Sequence, residues 1–140
     1  MIGVAVAANA VTLGALVNHL LDNRQANGSS LLLSGVDIYV TGILVFAVLF
    51  WELDRGGPEG RSAGGGRPHF RFAAEQPPVP GWRPGFVDYL HLSFTNSTAF
   101  SPTDTMPLTA RAKLYMLVEA AGALATAAVV LTRAVSLLGV

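Results

Sequence analysis

The sequence predicts an all-α membrane protein with three transmembrane helices and a shorter re-entrant helix and loop between the second and the third. Three observations lead to this fold class. Of the 140 residues, 51% are hydrophobic and 13% are charged, whereas soluble domains carry about 25% charged residues. The apolar residues are gathered in three long segments. A semi-polar stretch, residues 88–109, separates the last two and is too short and too polar to span a bilayer.

The composition excludes several classes of function. The chain has no cysteine, so disulfides and thiolate metal sites are excluded, and its formal net charge of zero leaves no nucleic-acid footprint. His19, His69 and His91 lack the spacing of metal ligands. There is no phosphate loop, nucleophile elbow or paired-carboxylate motif. We therefore predict no enzyme activity, no metal site and no resident cofactor, with the lipid bilayer as the main partner.

Residues 1–29 form the predicted N-terminal unit, a transmembrane helix at 1–21 followed by a short polar loop. A helix of that length extends about 31 Å, which is enough for one crossing. A cleaved signal peptide is the alternative. The segment has no basic start, because its first charged residue is Asp22. We therefore predict a retained span.

Residues 31–51 are the second apolar segment and the predicted outer helix. Trp51 at its end is typical of the aromatic belt at a membrane interface. Asp37 is unusual, because a carboxylate at the centre of a span costs on the order of 2.5–3.5 kcal/mol on insertion scales. Either Asp37 reaches the interface, or it pairs with Arg133, which we expect at the same depth in an antiparallel third span.

Residues 52–85 are hydrophilic and rich in Gly, Pro and Arg, with no period of 2 or 3.6. The run Gly64-Gly65-Gly66 is flexible, and the prolines between 77 and 84 exclude a helix there. We predict a solvated linker in which Trp82 anchors the chain at the membrane interface. Four arginines are expected to face solvent or lipid headgroups: Arg61, Arg67, Arg71 and Arg83.

A short helix is predicted over residues 86–97, because Phe86, Leu90 and Phe94 lie four apart on one face. Asp88 suits the positive N-terminal end of its dipole. The hydroxyl-rich residues 98–106 follow the helix. Irregular backbone at membrane depth is tolerated only where it is buried in protein or lines a water-filled space. The pattern therefore predicts a re-entrant loop.

Residues 107–139 are the third apolar segment, with Pro107 in the predicted first helical turn. Glu119 lies about 18 Å along this helix, deep in the membrane. We expect its carboxyl group to accept hydrogen bonds from polar side chains at the back of the short helix: Ser93, Asn96 and Ser97. A proton-coupled or cation-lining role of Glu119 is the alternative. Gly122 either admits a neighbouring helix or allows the helix to bend.

The stretch DYLHLSFTNSTAFSPTDTMPLT, residues 88–109, resembles the pore loop of the potassium-channel superfamily, the two-span type. A typical member reads DYLYFSFTTLTTVGYGDxxPxT. An ungapped alignment matches Asp88, Tyr89, Leu90, Ser93, Phe94, Thr95, Thr98, Asp104, Pro107 and Thr109. The third segment also resembles the family's inner helix, at Arg111, Glu119, Ala120, Gly122 and Leu124. The resemblance implies a pore module over residues 30–140: outer helix 31–51, turret 52–85, pore helix 86–97, filter-like loop 98–106 and inner helix 107–139.

The resemblance also implies a homotetramer, a multi-pass protein of the cell membrane with a monovalent cation in its pore. The family's filter TVGYGD falls on Ala99, Phe100, Ser101, Pro102, Thr103 and Asp104. Ser101 and Thr103 replace glycines that adopt positive φ in a potassium filter, and Pro102 replaces the tyrosine.

We therefore expect a cation channel of altered or weak selectivity, with Thr98 to Asp104 lining the constriction. There are two alternatives. Phe100 plugs the axis as a hydrophobic constriction, or the chain is a non-conducting membrane scaffold derived from a channel.

Two rules give opposite orientations in the membrane. Seven basic residues lie on the side of residues 52–85, and only Arg24 and Arg133 lie on the other side. The positive-inside rule then places residues 52–85 in the cytoplasm, whereas the resemblance places them outside. We favour the outside, because the segment is long and also carries four acidic residues.

Overall fold

The computed structural model describes residues 28–98 and 104–137, together with Gly14 and Asn18. The rest of the predicted first span lies outside the described residues. So do five residues of the filter-like loop: Ala99, Phe100, Ser101, Pro102 and Thr103. The described part is mostly helical. Its elements in chain order are α1 (Gly28–Leu53), a 3-10 helix (Asp54–Gly56), α2 (Gly57–Ser62), β1 (Phe70–Phe72), α3 (Phe86–Ser97), β2 (Thr105–Pro107) and α4 (Ala110–Leu137).

Helices α1 and α4 are each long and apolar enough to cross a membrane, with mean hydropathies of 2.1 and 1.9 in their apolar windows. They run antiparallel. Gly35 near the start of α1 lies against Val130 near the end of α4, and Phe50 near the end of α1 shares a buried cluster with Ala112. Their outer faces keep large apolar side chains exposed, among them Leu33, Val36, Leu117 and Leu124. Such faces are typical of surfaces that lipid or other protein copies cover.

Helix α3 has the bounds that the sequence predicts. Gly85 precedes it and donates its backbone N–H to the Asp88 carboxylate at 2.7 Å, while its carbonyl oxygen accepts the Asp88 N–H at 3.0 Å. This reciprocal pair defines the first turn and places a negative charge at the positive end of the helix dipole. The side chains that α3 buries among the other elements are Tyr89, Leu92 and Ser93.

Residues 52–85 are folded, so the prediction of a solvated linker without regular structure is wrong. Strand β1 pairs antiparallel with β2, with Phe70 opposite Pro107 and Phe72 opposite Thr105. The two phenylalanines are buried, while Arg71 between them points the other way, as successive residues of a strand do. The core that receives them also contains Phe50, Tyr89, Leu92 and Ala112.

The boundaries of the two long helices differ from the predicted ones. Helix α1 begins three residues before the predicted 31–51 segment and ends two residues after it. Pro107 lies in β2 and not in the first turn of the third helix, because the chain first pairs with β1. The Thr109 hydroxyl accepts the N–H of Ala112 at 3.3 Å and caps α4, which therefore starts at Ala110.

Glycines let the chain turn sharply at the end of α1. Arg55, Gly56 and Gly57 all have positive φ, at 54°, 76° and 76°. The segment that follows then wraps around the Arg55 backbone, with Gly60 and Gly66 both against its carbonyl oxygen. At Gly66, φ is also positive, at 95°. A side chain at either position would occupy the space of a backbone atom.

We expect Gly60→Ala to lower the free energy of unfolding by about 1–3 kcal/mol, the usual cost of overpacking, because the added Cβ would overlap the Arg55 carbonyl oxygen. The measurement is thermal unfolding in mild detergent, followed by circular dichroism. Gly65→Ala is the matched control, because a Cβ at Gly65 meets no atom within 4 Å. Equal melting temperatures of Gly60→Ala and Gly65→Ala would contradict the close approach of Gly60 to the Arg55 carbonyl oxygen.

Gating or packing is the predicted role of three further residues: Asp37, Gly122 and Arg133. Asp37 is exposed. Gly35 of α1 lies opposite Val130 of α4. In this antiparallel register the Arg133 backbone lies about five residues along α4, roughly 7 Å, from the level of Asp37. The expectation that Asp37 and Arg133 lie at equal depth is therefore wrong. The side chain of Arg133 is outside the described residues, and the ion pair stays a prediction. A Cβ added at Gly122 would meet no described atom within 4 Å outside the backbone of its own helix, so no described neighbouring helix approaches Gly122 at that point.

Candidate functional site

Helix α3 passes between the two long helices and stops partway along them. Near its start, the Tyr89 hydroxyl lies 2.6 Å from the Asp54 carboxylate, just beyond the end of α1. At its end, the Ser97 hydroxyl lies 3.0 Å from the Glu119 carboxylate, nine residues or roughly 14 Å into α4. Strand β2, which follows the filter-like loop, pairs with β1 and therefore lies at the same end of the molecule as β1. The chain therefore runs along part of α4, and β2 lies at the end where α3 began.

Glu119 holds the inner end of this helix. Its carboxyl group accepts hydrogen bonds from Asn96 Nδ2 at 2.7 Å, from Ser97 Oγ at 3.0 Å and from Ser93 Oγ. The Ser93 hydroxyl also lies 2.8 Å from the carbonyl oxygen of Ile43 in α1. Glu119 and Ser93 are both buried. The hydrogen bonds expected from the sequence are present, and they join all three helices at one depth.

Asp54 holds the outer end. This carboxylate is fully buried and accepts four hydrogen bonds. The donors are Tyr89 Oη at 2.6 Å, the His69 and Phe70 backbone N–H groups at 2.6 and 3.2 Å, and Arg55 Nη1 at 2.8 Å. Burial, together with the hydrogen bond and the negative charge of Asp54, holds the pKa of Tyr89 well above its usual value. The phenol is therefore the donor, and it ties α3 to the end of α1.

Arg61 is part of this junction, so the prediction that it faces solvent or headgroups is wrong. Its Nη1 donates to the carbonyl oxygens of Trp51 at 2.7 Å and Asp54 at 2.9 Å. Its guanidinium carbon lies 5.7 Å from the centre of the Trp51 ring and 5.2 Å from that of the Tyr89 ring. Arg61 thus satisfies carbonyl groups at the end of α1 and stacks against the first turn of α3.

His69 links the same junction to α4. Its Nδ1 lies 2.6 Å from the hydroxyl of Thr109, the cap of α4, and its carbonyl oxygen accepts the Leu108 N–H at 2.8 Å. Burial lowers the pKa of His69, the Asp54 charge opposes that shift, and the charges of Arg67 and Arg111 add to it. The neutral imidazole is therefore the form that the fold prefers.

This preference predicts a pH dependence of stability. A lowered pKa in the folded state means that the unfolded chain takes up the proton first, as pH falls through about 6.5. The stability that the fold gains from keeping His69 neutral is therefore fully present above the unfolded-state pKa. It is lost as the pH falls from the unfolded-state pKa to the lower folded-state pKa. We expect the melting temperature to fall by a few degrees between pH 7.5 and 5.5 relative to His69→Gln, which keeps a polar group but does not titrate.

The matched control for this pH series is His91→Gln, because the His91 side chain is exposed on α3. Thermal unfolding at each pH, followed by circular dichroism, gives the difference between each variant and the parent chain. A parent-minus-His69→Gln difference that does not change with pH would contradict the assignment.

The side of α3 that faces away from Glu119 is uncovered in a single chain. Val87 and Phe94 are 74% and 50% exposed. Asp104, the last residue of the filter-like alignment, lies at the same level as His91, with 3.9 Å between its Oδ2 and His91 Nδ1. Thr98 ends α3, and its hydroxyl donates to the carbonyl oxygens of Phe94 and Thr95. This face thus mixes apolar and polar groups and ends at the filter-like loop.

Of the residues predicted as a site, the structure brings together the four that support the short helix: Ser93, Asn96, Ser97 and Glu119. Sequence reasoning missed Asp54, Arg61 and His69 as a second point of attachment. Two signals were available for this junction. An acidic residue follows the apolar segment directly, and Phe70-Arg71-Phe72 alternates as a strand does.

Comparison with protein-family models, with curated proteins and with solved structures finds no match to this chain. The function is therefore argued from the geometry of α3 and its two points of attachment.

Proposed function

We propose that this chain is the subunit of a potassium-channel-like pore-forming membrane protein, a cation channel of altered or weak selectivity. The observation that carries the proposal is the short helix α3 packed against two long apolar helices, with a hydrogen-bonded carboxylate at each end; we interpret α3 as a re-entrant pore helix. In such a protein the short helix presents its C-terminal end, the negative end of its dipole, to a central cavity. That end favours cations.

The dimensions of the described residues support this function. Thr98 follows Ser97, which is bonded to Glu119, and Thr105 pairs with Phe72 at the outer end. The chain from Thr98 to Thr105 spans seven peptide bonds and connects two levels that lie roughly 14 Å apart along α4. This is well within the reach of seven residues, which can extend at most about 3.3–3.6 Å each. In the proposal, Thr98 to Asp104 form the constriction.

A homotetramer in the cell membrane, with each chain crossing more than once, is part of the proposal. One copy has too little surface to enclose a pore, and polar backbone at membrane depth must be sheltered from lipid. Neighbouring copies around a common axis would cover the exposed face of α3, on which Val87 and Phe94 lie. The same arrangement would bring four copies of Asp104 near the axis, where a ring of carboxylates attracts cations.

Planar-bilayer recording of the purified protein tests this function. We expect cation currents, and we expect Asp104→Ala to lower the single-channel conductance several-fold at low salt, because four carboxylates leave the mouth of the pore. Asp104→Glu keeps the charge and is expected to keep most of the conductance. Thermal unfolding of both variants in detergent checks that they are folded.

Two outcomes would count against the channel. Silence of well-folded, reconstituted protein under all tested cations would favour a non-conducting membrane scaffold. Currents that are equal in the parent chain and in Asp104→Ala would remove Asp104 from the conduction path. Chemical cross-linking in mild detergent gives the number of subunits separately, and a monomer would remove the shared axis.

A further inference from the structure

A cavity of about 530 Å³ is lined mainly by residues of the folded turret, residues 52–85, together with Trp51 at the end of the first long helix. Its size is within the range of about 300–1,000 Å³ typical of small-ligand sites. The side chains that give it its chemical character are Trp51, Arg55, Arg61, Glu75, Trp82 and Arg83. Gly64, Gly65 and Gly66 form part of its wall and keep it open, because they carry no side chains.

The charges around this turret cavity do not cancel. Arg55 is paired with both nearby carboxylates, Asp54 at 2.8 Å and Glu75 at 2.6 Å. Arg61 has no carboxylate within 4 Å among the described residues, and its Nη1 is bonded to neutral carbonyl oxygens. Arg83 adds a third guanidinium, which is exposed. The side chains that line the cavity therefore carry three positive charges, on Arg55, Arg61 and Arg83, and one negative charge, on Glu75.

Arg61 also keeps an unused donor. Within the described part of the chain its Nη2 is buried and has no hydrogen-bond partner. An unsatisfied buried donor on a charged group is costly, and such groups in native proteins commonly have a bound ion or water as partner. Because Nη2 is buried, an oxyanion in the cavity would interact with Arg61 through the charge of its guanidinium group, which attracts phosphate and carboxylate groups. The tryptophan rings provide flat apolar walls for whatever is attached to the oxyanion.

We propose that the turret cavity binds an oxyanion of the phosphate class, with Arg61 and Arg83 as its counter-charges and Trp51 and Trp82 as its walls. A phosphate ester suits both the volume and the positively charged lining better than a small carboxylate, which would leave most of the cavity empty. The source is either free phosphate or the phosphodiester of an anionic lipid, because Trp51 ends an apolar helix that can cross a membrane. The site does not depend on conduction.

The chain contains two tryptophans, and both line this cavity, so intrinsic tryptophan fluorescence reports on it without a label. The full chain in uncharged detergent is titrated with sodium phosphate, against sodium chloride at equal ionic strength. A parallel titration uses short-chain phosphatidylglycerol, against short-chain phosphatidylcholine. We expect a saturable change with phosphate or phosphatidylglycerol and none with chloride or phosphatidylcholine.

Arg83→Gln is the main variant, because Arg83 is exposed and makes no contact that holds the junction together. It is expected to weaken binding about tenfold, the loss of one charge-assisted hydrogen bond. Arg67→Gln is the matched control, an exposed turret arginine that does not line the cavity, and it should bind as the parent chain does. Binding to Arg61→Gln is interpreted only if circular dichroism shows that this variant is folded.

Each outcome decides the proposal. Phosphate and phosphatidylglycerol binding with similar affinity identifies a site for the free oxyanion, and phosphatidylglycerol binding at least tenfold more tightly identifies a lipid headgroup site. A fluorescence change that does not saturate, that chloride reproduces, or that Arg83→Gln leaves at the parent affinity overturns the site.

Discussion

Replacing Asp54 by leucine is expected to lower the free energy of unfolding by about 3–5 kcal/mol, the usual cost of breaking a buried charged network from one side. The variant would leave the Tyr89 hydroxyl and two backbone N–H groups without their acceptor, and the Arg55 guanidinium with Glu75 as its remaining carboxylate partner. Because Asp54 is fully buried, water cannot replace it without opening the junction. Helix content during a titration with sodium dodecyl sulfate, followed by circular dichroism, measures the loss.

Two control variants separate the charge of Asp54 from its shape. Asp54→Asn keeps one acceptor oxygen for the backbone N–H groups but presents an amide to Arg55, so we expect an intermediate loss. Glu75→Gln removes the other carboxylate paired with Arg55, and because Glu75 is partly exposed we expect a loss below about 1 kcal/mol. If Asp54→Leu were no worse than Glu75→Gln, Asp54 would not hold the turret to α3.

The second large effect is expected at Glu119. Glu119→Leu should lower the free energy of unfolding by about 2–5 kcal/mol, because three donors on the short helix would lose the carboxylate in an apolar environment. Ser97 would lose its acceptor, whereas Ser93 would keep only the Ile43 carbonyl oxygen and Asn96 only that of Met116. The inner end of α3 would then be held mainly by packing. The titration used for Asp54 measures this loss.

Glu119→Gln is the matched variant, since glutamine has the same size and keeps one acceptor oxygen. We expect it to retain most of the stability that leucine loses. Ser97→Ala removes a single donor and should cost about 1 kcal/mol. A Glu119→Leu variant as stable as Ser97→Ala would show that the hydrogen bonds of α3 are not what anchors its inner end.

Variants at Asp54 and Glu119 also test the two ends of α3 separately. Asp54 acts where α3 begins and Glu119 acts where it ends. If the channel proposal is right, Glu119→Gln, which remains folded, should alter conduction more than Glu75→Gln does, since Glu119 is joined by two hydrogen bonds to the last two residues of α3. Bilayer recordings of the two variants at equal protein density make this comparison.

Local patterns were sufficient for several features. The helix at Phe86–Ser97 is encoded within itself, by apolar residues four apart and by Asp88, which bonds to a backbone group three residues away. Two long apolar helices follow from composition alone. The partners of Glu119 were also predictable, because a carboxylate deep in an apolar helix needs donors, and the back of the short helix carries the nearest ones.

The outer junction was decided only by tertiary structure. Asp54 meets partners 15, 16 and 35 residues along the chain, and His69 meets Thr109 across 40 residues. Strands of three residues each are too short to show a period, and they become strands only when residues 70–72 and 105–107 meet. The sequence by itself determined the apolar helices and the short helix between them, since these depend on neighbours within one or two turns. Contacts between distant segments decide the fold of the turret, the burial of Asp54 and the position of Arg61. Local sequence patterns do not predict the free energies of these contacts.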